Sequence, residues 1–331
     1  MNEQAEAPAF TRLINLAAER FGAKVLWCTN DFFAEKENLI NPEKPIFIPE
    51  KFTERGKWMD GWESRRKRTP GHDEAVIQLG AAGIIKGFDV DTSHFLGNQP
   101  EYCTIDACYA PDGNWEKAEW VEVLGKTMLK PGTQHFVEAG PASANRQLAT
   151  HVKLHIYPDG GVARLRVYGE VQKDWAAVNP GEQVDLAAAQ NGALAIACND
   201  MFFSHMNNLL MPGRGVNMGD GWETKRNRTP GNRDWVIVRL AHRGILKKVL
   251  IDTAHFKGNY PDSFLLEGCD NATDALGNAA WRVIVPQHQL QAHHEHLFED
   301  EVSCTVPVTH VRLSIFPDGG VSRIRLWGTI S

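Results

Sequence analysis

Lys57-Trp58-Met59-Asp60-Gly61-Trp62-Glu63-Ser64-Arg65-Arg66-Lys67-Arg68-Thr69-Pro70-Gly71 decides how this chain is read, because it occurs twice. The second copy is Val216-Asn217-Met218-Gly219-Asp220-Gly221-Trp222-Glu223-Thr224-Lys225-Arg226-Asn227-Arg228-Thr229-Pro230-Gly231. Trp62 and Trp222 stand 160 positions apart, about half of the 331 residues. Acids, cations and turn residues are mixed in this motif. That mixture suits a rigid loop that grips a small polar molecule better than it suits a helix or a strand.

Outward from the motif the duplication continues. Ala75-Val76-Ile77-Gln78-Leu79 corresponds to Trp235-Val236-Ile237-Val238-Arg239-Leu240, each a β-type run bounded by glycine. A strand from Ile84 leads into Asp91-Thr92-Ser93-His94-Phe95-Leu96-Gly97-Asn98, and its copy leads into Asp252-Thr253-Ala254-His255-Phe256-Lys257-Gly258-Asn259. Val25 to Cys28 reads as a buried strand ending at Asn30-Asp31-Phe32-Phe33, matched by Leu194 to Cys198 and Asn199-Asp200-Met201-Phe202. The first copy is nine residues longer between these points, an insertion placed at Pro42 to Pro49. Each half closes on alternating runs joined by Pro158-Asp159-Gly160-Gly161 or Pro317-Asp318-Gly319-Gly320, the signature of a hairpin. Short strands with few helical patterns predict an all-β chain of two β-sandwiches: residues 10–170, a linker at 171–183, and residues 184–331.

Composition narrows the function. The net charge of −6 gives no electrostatic reason to expect nucleic acid. No run approaches the roughly 18 apolar residues of a membrane helix, and Met1 to Pro8 lacks a secretory pattern. The six cysteines form no Cys-x-x-Cys pair, which predicts reduced thiols in a cytoplasmic protein. P-loop, Gly-x-Ser-x-Gly and His-Glu-x-x-His motifs are lacking.

The candidate chemistry lies in the repeated polar residues. Asp60, Glu63, Asp220 and Glu223 can act as general bases or orient a urea-like N–H; the plainer alternative is a turn braced by arginine. Arg66, Arg68, Arg226 and Arg228 can form planar forks on a substrate carboxylate, against a solvated basic loop. His94 with Asp91, and His255 with Asp252, can be acid/base pairs or metal ligands, against a histidine bonded to its own loop. His135 and His296 read as packed strand-end residues, and His293-His294-Glu295-His296 as a solvated loop. Arg164, Arg166, Arg323 and Arg325 alternate as on a solvated sheet face, and Trp62 and Trp222 read as loop anchors.

Ile14-Asn15-Leu16-Ala17, Asn30-Asp31-Phe32-Phe33-Ala34, Gly56 to Arg66, Asp252 to Asn259 and both Pro-Asp-Gly-Gly turns resemble the allantoicase (allantoate amidinohydrolase) family, from about Phe10 onward. The resemblance implies tandem galactose-binding-like jelly rolls and hydrolysis of allantoate to ureidoglycolate and urea in purine breakdown. Urea leaves intact, so the bond broken joins its nitrogen to the carbon bearing the carboxylate. Such a site needs a carboxylate clamp, expected from the motif arginines, and acid/base groups, expected from His255–Asp252 or His94–Asp91. Asp60, Glu63, Asp220 and Glu223 would hold the ureido N–H groups. The same acidic and imidazole groups also suit a divalent metal. A homo-oligomer acting on a small molecule, without nucleic acid or membrane, is expected. The alternative is a non-catalytic tandem carbohydrate-binding module.

Overall fold

The computed structural model describes residues 7–140 and 147–331. Contacts divide the chain into two compact units, through Gln172 and from Lys173 onward. Among the described residues all helical turns are short 3-10 turns, and the chain is otherwise strand and loop.

The first unit contains β1 (Ile14–Asn15), β2 (Lys24–Cys28), β3 (Phe52–Thr53), β4 (Gly56–Lys57), β5 (Trp62–Glu63), β6 (Asp73–Asp91), β7 (Tyr102–Cys108), β8 (Val121–Met128), β9 (Gln134–Glu138), β10 (Leu148–Tyr157), β11 (Gly161–Val162) and β12 (Arg164–Val171). β6 is the spine. Its start, Asp73 to Gln78, pairs with β10, and β2 lies along it as well. Its end, Gly83 to Asp91, pairs with β12, and Gly87 to Asp91 with β9. β10 extends one layer through β7 and β8, while β12 extends the other through β1.

Small residues let one strand serve both layers. At the bend, Leu79-Gly80-Ala81-Ala82-Gly83, a Cβ on Gly80 would lie 2.5 Å from the Phe21 carbonyl oxygen, and one on Gly83 would lie 2.8 Å from that of Glu170. The neighbouring backbone closes into the space that glycine leaves. Between the layers Trp62, Phe88, Phe95, Leu154, Ile156, Leu165 and Val167 are fully buried. Burial of this apolar surface, at roughly 25 cal/mol per Å², is the driving force for the sandwich.

The second unit repeats the plan with β13 (Gln183–Asp185), β14 (Leu194–Cys198), β15 (Trp222–Glu223), β16 (Asp234–Asp252), β17 (Ser263–Cys269), β18 (Arg282–Gln289), β19 (Glu295–Phe298), β20 (Val308–Phe316), β21 (Gly320–Val321) and β22 (Arg323–Ile330). β16 is its spine, pairing with β14, β19, β20 and β22.

Three local expectations change. The Pro-Asp-Gly-Gly turns do not close hairpins: beside the turn β10 pairs with Asp73 at one end of β6 and β12 with Asp91 at the other, so the turn carries the chain from one layer to the other. β20 and β22 behave likewise on β16. The β2 strand is not buried. It is an edge strand bulged at Leu26, and Leu26 and Trp27 are exposed. The spines also align one residue differently from the sequence match: Ala75 faces Leu154 and Val236 faces Leu313, so Glu74 corresponds to Trp235.

The first unit carries one buried carboxyl without a counterpart. Asp89 on β6 is 3 % exposed. Its Oδ2 accepts from Gln134 Nε2 at 2.9 Å, and its Oδ1 has no partner. Burial pushes this carboxyl up to about 7, opposed by the Gln134 hydrogen bond. Leu250 takes the matching place on β16. A raised carboxyl favours the fold while protonated. That contribution is complete below the ordinary carboxylate range near pH 4 and is lost as pH rises through about 7. Asp89→Asn is therefore predicted to gain on the parent by a few kcal/mol between pH 5 and pH 8, order of magnitude. Calorimetric melting at the two pH values reads this; equal pH dependence in parent and variant refutes it.

Candidate functional site

The duplicated motif is fixed at its centre by Trp62, whose β5 segment pairs with β11 just after the Pro-Asp-Gly-Gly turn. The indole Nε1 donates to the Asn30 carbonyl at 2.8 Å, and Asn30 Oδ1 accepts from the Arg65 amide at 2.7 Å. Trp222 does the same with the Asp200 carbonyl, while Asp200 Oδ1 accepts from the Lys225 amide. Both indoles are fully buried loop anchors.

Asp60 and Asp220 are each buried against an arginine. Asp60 Oδ2 receives Arg164 Nη2 at 2.8 Å and the Ile46 amide at 2.9 Å, and both side chains are buried. Arg164 also donates to the carbonyls of Asp60, Ala163 and Glu43. Asp220 receives Arg323 Nη2 at 2.7 Å and the Val216 amide, and Arg323 donates to the Asp220, Ser322 and Gly213 carbonyls. Arg164 and Arg323 are 1 % and 3 % exposed, so the expectation of a solvated arginine face fails. Alternation on a strand marks a face and does not say whether water or protein covers it. Here the covering is the loop after Asn41, or after Met211, which Arg166 and Arg325 also bind through its carbonyls.

The Asp–His pairs do not assemble either. Asp91 Oδ1 accepts the Ser93 amide at 2.7 Å, and His94 Nε2 lies 3.2 Å from the Pro45 carbonyl. Asp252 accepts the Ala254 amide and pairs with Arg214, while His255 Nε2 lies 2.8 Å from the Gly215 carbonyl. His94 and His255 share a φ of 70°, which turns each ring away from the preceding carboxylate toward that loop. Both histidines tether loops. His135 and His296 are held at strand ends, each accepting a backbone amide through Nε2. His293 and His294 are exposed. Arg68 is exposed and stands outside the cavity described next.

In each unit the loops line a half-open cavity. The first, ≈ 570 Å³, is lined among others by Phe33, Glu63, Arg66, Asn98, Asp159 and Glu101. Glu63 Oε1 accepts from Asn98 Nδ2 at 2.8 Å. Burial raises the Glu63 carboxyl above its ordinary value, and the Asn98 hydrogen bond opposes the rise. The second cavity, ≈ 680 Å³, is lined by Phe203, Glu223, Arg226, Arg228, Asn259 and Asp318 among others. Glu223 Oε1 accepts from Asn259 Nδ2 at 2.5 Å. Of the predicted site residues, the structure thus brings Glu63 and Arg66 together in one cavity, and Glu223, Arg226 and Arg228 in the other.

Glycine makes this convergence feasible. A Cβ on Gly160 would lie 2.6 Å from the Asn98 carbonyl oxygen, and one on Gly161 would lie 1.9 Å from the Phe95 ring. The turn therefore packs against the Asn98 loop, and Asp159 Oδ2 accepts the Lys67 amide at 2.7 Å. Three segments distant in sequence meet at one rim.

Comparison with known proteins bears on this arrangement. The family model described as the allantoicase repeat matches residues 14–172 and 184–331. The chain belongs to the allantoicase family. It is 51% identical to probable allantoicase 1 of Burkholderia mallei, over 98% of this chain and 97% of that one. It is 49% identical to a probable allantoicase of Pseudomonas fluorescens, over 99% of each. The crystal structure of allantoicase from Saccharomyces cerevisiae superposes with a TM-score of 0.81 at 37% identity, covering 95% of this chain and 92% of that one.

In both allantoicase repeats the reading of the sequence overlooked Asn98 and Asn259, the partners of the cavity glutamates. The signal was present: Gly-Asn ends both copies of the strand-end motif. Asp159 and Asp318, turn residues by sequence, each anchor the arginine loop and line the cavity.

Two outcomes follow from the geometry. Asp60→Ala leaves Arg164 buried without its partner and is predicted to cost about 3–5 kcal/mol in denaturant unfolding; a loss under about 1 kcal/mol would refute the structural role. Asn98→Ala removes a donor to the Glu63 carboxylate, so the Glu63 carboxyl should titrate at still higher pH. Carboxyl-carbon NMR of labelled glutamate checks the direction.

Proposed function

We propose that this chain is an allantoicase, hydrolysing allantoate to ureidoglycolate and urea in purine breakdown, with Glu63 and Glu223 as its acid/base groups. Family membership along nearly the whole chain supports the reaction. The observation that carries the site is the repeated carboxylate, amide and guanidinium lining one cavity in each unit. A carbohydrate-binding module is disfavoured by that full-length relationship to named allantoicases.

The substrate carboxylate meets the guanidinium of Arg66, or those of Arg226 and Arg228, in planar bidentate fashion. The ureido N–H and carbonyl groups meet the remaining polar rim, Asn98 with Asp159, or Asn259 with Asp318. Glu63, raised by burial, keeps its proton to higher pH than an exposed glutamate does. It passes that proton to the departing nitrogen as the carbon–nitrogen bond breaks, and urea leaves neutral. The ionised carboxylate then takes a proton from the water whose oxygen bonds to the same carbon, which restores the acid. Asn98 occupies one carboxylate oxygen and leaves the other for this exchange.

The same reading places the protein in the cytoplasm, without a nucleic-acid partner, as a homo-oligomer. All six cysteines are unpaired. No helix among the described residues is long and apolar enough to cross a membrane. The exposed Ile46, Phe47 and Ile48 of the inserted loop, with Phe52 on β3, support self-association.

Urea release from allantoate tests the assignment. Glu63→Gln and Glu223→Gln are predicted to lower kcat by about 10²–10⁴-fold for whichever cavity turns over, and the double variant to abolish measurable turnover. His94→Asn with His255→Asn, which accepts the left-handed backbone, keeps kcat within about threefold on this reading. Full activity in the double glutamate variant, or collapse in a folded double histidine variant, would return the acid/base role to histidine.

A further inference from the structure

The first unit holds a cluster that the cavity does not use. His72 precedes β6, Glu74 lies on β6, and His155 lies opposite it on β10. Their donor atoms converge: His72 Nε2 is 3.1 Å from His155 Nδ1, Glu74 Oε2 is 3.0 Å from His155 Nδ1, and His72 Nε2 is 3.6 Å from Glu74 Oε2. On its far side His155 Nε2 is 3.1 Å from Asp106 Oδ2 on β7. Among the described residues this is the one group of three such side chains with metal-ligand spacing.

A proton between them joins His155 Nδ1 to one neighbour only: His72 Nε2–H donates to it, or an imidazolium donates to Glu74. Asp106 takes the Nε2–H of His155, which leaves Nδ1 a bare lone pair. That lone pair faces a carboxylate oxygen and a second imidazole nitrogen. A cation at the centre satisfies all three lone pairs together. Donors each about 2.1 Å from one point stand roughly 3.0–3.4 Å apart, the edges of octahedral and tetrahedral shells. Two edges of the observed triangle, 3.1 and 3.0 Å, fall in that range, and the third, 3.6 Å, closes to it by a small turn of the partly exposed His72 ring.

We propose that His72, Glu74 and His155 form a binding site for one divalent transition-metal ion of the zinc class in the first unit. Two imidazoles and one carboxylate suit such an ion and disfavour calcium or magnesium, which take oxygen shells. Asp106 is the outer carboxylate that fixes the His155 tautomer, the arrangement that accompanies metal-bound histidine. Tyr157 stacks on the His72 ring at 4.5 Å and Tyr102 on Tyr157 at 4.4 Å, which holds the more exposed ligand in place. An ion here pins the lead-in of β6 to β10. The second unit has Ser314 for His155, Trp235 for Glu74, and Glu267 paired with Arg312 where Asp106 stands. The ion therefore belongs to one repeat, and the stoichiometry is one per chain. This holds whichever cavity is catalytic.

The test is calorimetric titration of the chelator-treated full chain with Zn²⁺ in a non-coordinating buffer. One equivalent should bind and raise the melting temperature. His72→Asn, on a partly exposed side chain, and His155→Ser, the residue of the other repeat, should each lose the bound equivalent and the thermal shift while melting like the parent in chelator. Asp106→Asn should weaken binding by roughly 10-fold or more. His294→Ala, in the exposed run of the second unit, should leave it intact. No uptake by the parent, or an undiminished equivalent in the two ligand variants, overturns the site. Should His155→Ser not fold, His72→Asn decides alone.

Discussion

A carboxylate and a guanidinium, both shut away from water, hold each repeat in its working shape: Asp60 with Arg164, and Asp220 with Arg323. Arginine can do this because its fork delivers several N–H groups in fixed directions. Arg164 binds the Asp60 side chain, the Asp60 and Ala163 carbonyls, and the Glu43 carbonyl of the covering loop. A buried pair of this kind is weak as a source of net stability, since desolvation offsets most of its attraction. Its value is geometric. The pair leaves the motif and the covering loop one place to sit, and the cavity glutamate stands three residues beyond the aspartate.

From that constraint the site follows by packing. Trp62 sinks between the layers and fixes Glu63 at the rim, the Pro158-Asp159-Gly160-Gly161 turn closes against Phe95, and Asn98 is thereby delivered to Glu63. The second unit repeats every contact with Trp222, Phe256, Asn259 and Glu223. The two cavities are not copies in detail. Arg228 and Asn227 line the second, while Met128 and Leu129 line the first. Duplicated scaffolds have carried different rims.

The histidines show how much a motif leaves to the backbone. Asp-Thr-x-His carries the right groups for proton transfer, and spacing alone allows them to meet. The left-handed backbone at His94 and His255 sends the imidazole the other way, to carbonyls of the covering loop. Repetition in both halves here serves architecture. Conversely His72, Glu74 and His155 lie 83 residues apart at the extremes, and the second half does not repeat them. Strand pairing alone unites them.

Sequence by itself determined the duplication, the all-β character and the family, because alternation, turn residues and a long specific motif are properties of neighbours along the chain. It also placed Glu63, Glu223, Arg66 and Arg226 among the candidates. Only the tertiary structure decided that Arg164 and Arg323 are interior, that the final strands of each half lie in different layers, and that Asp60 and Asp220 brace rather than face the cavity. Each of those turns on what covers a residue from a distant segment. Local pattern records the direction in which a side chain points along its strand, and is silent about what lies there.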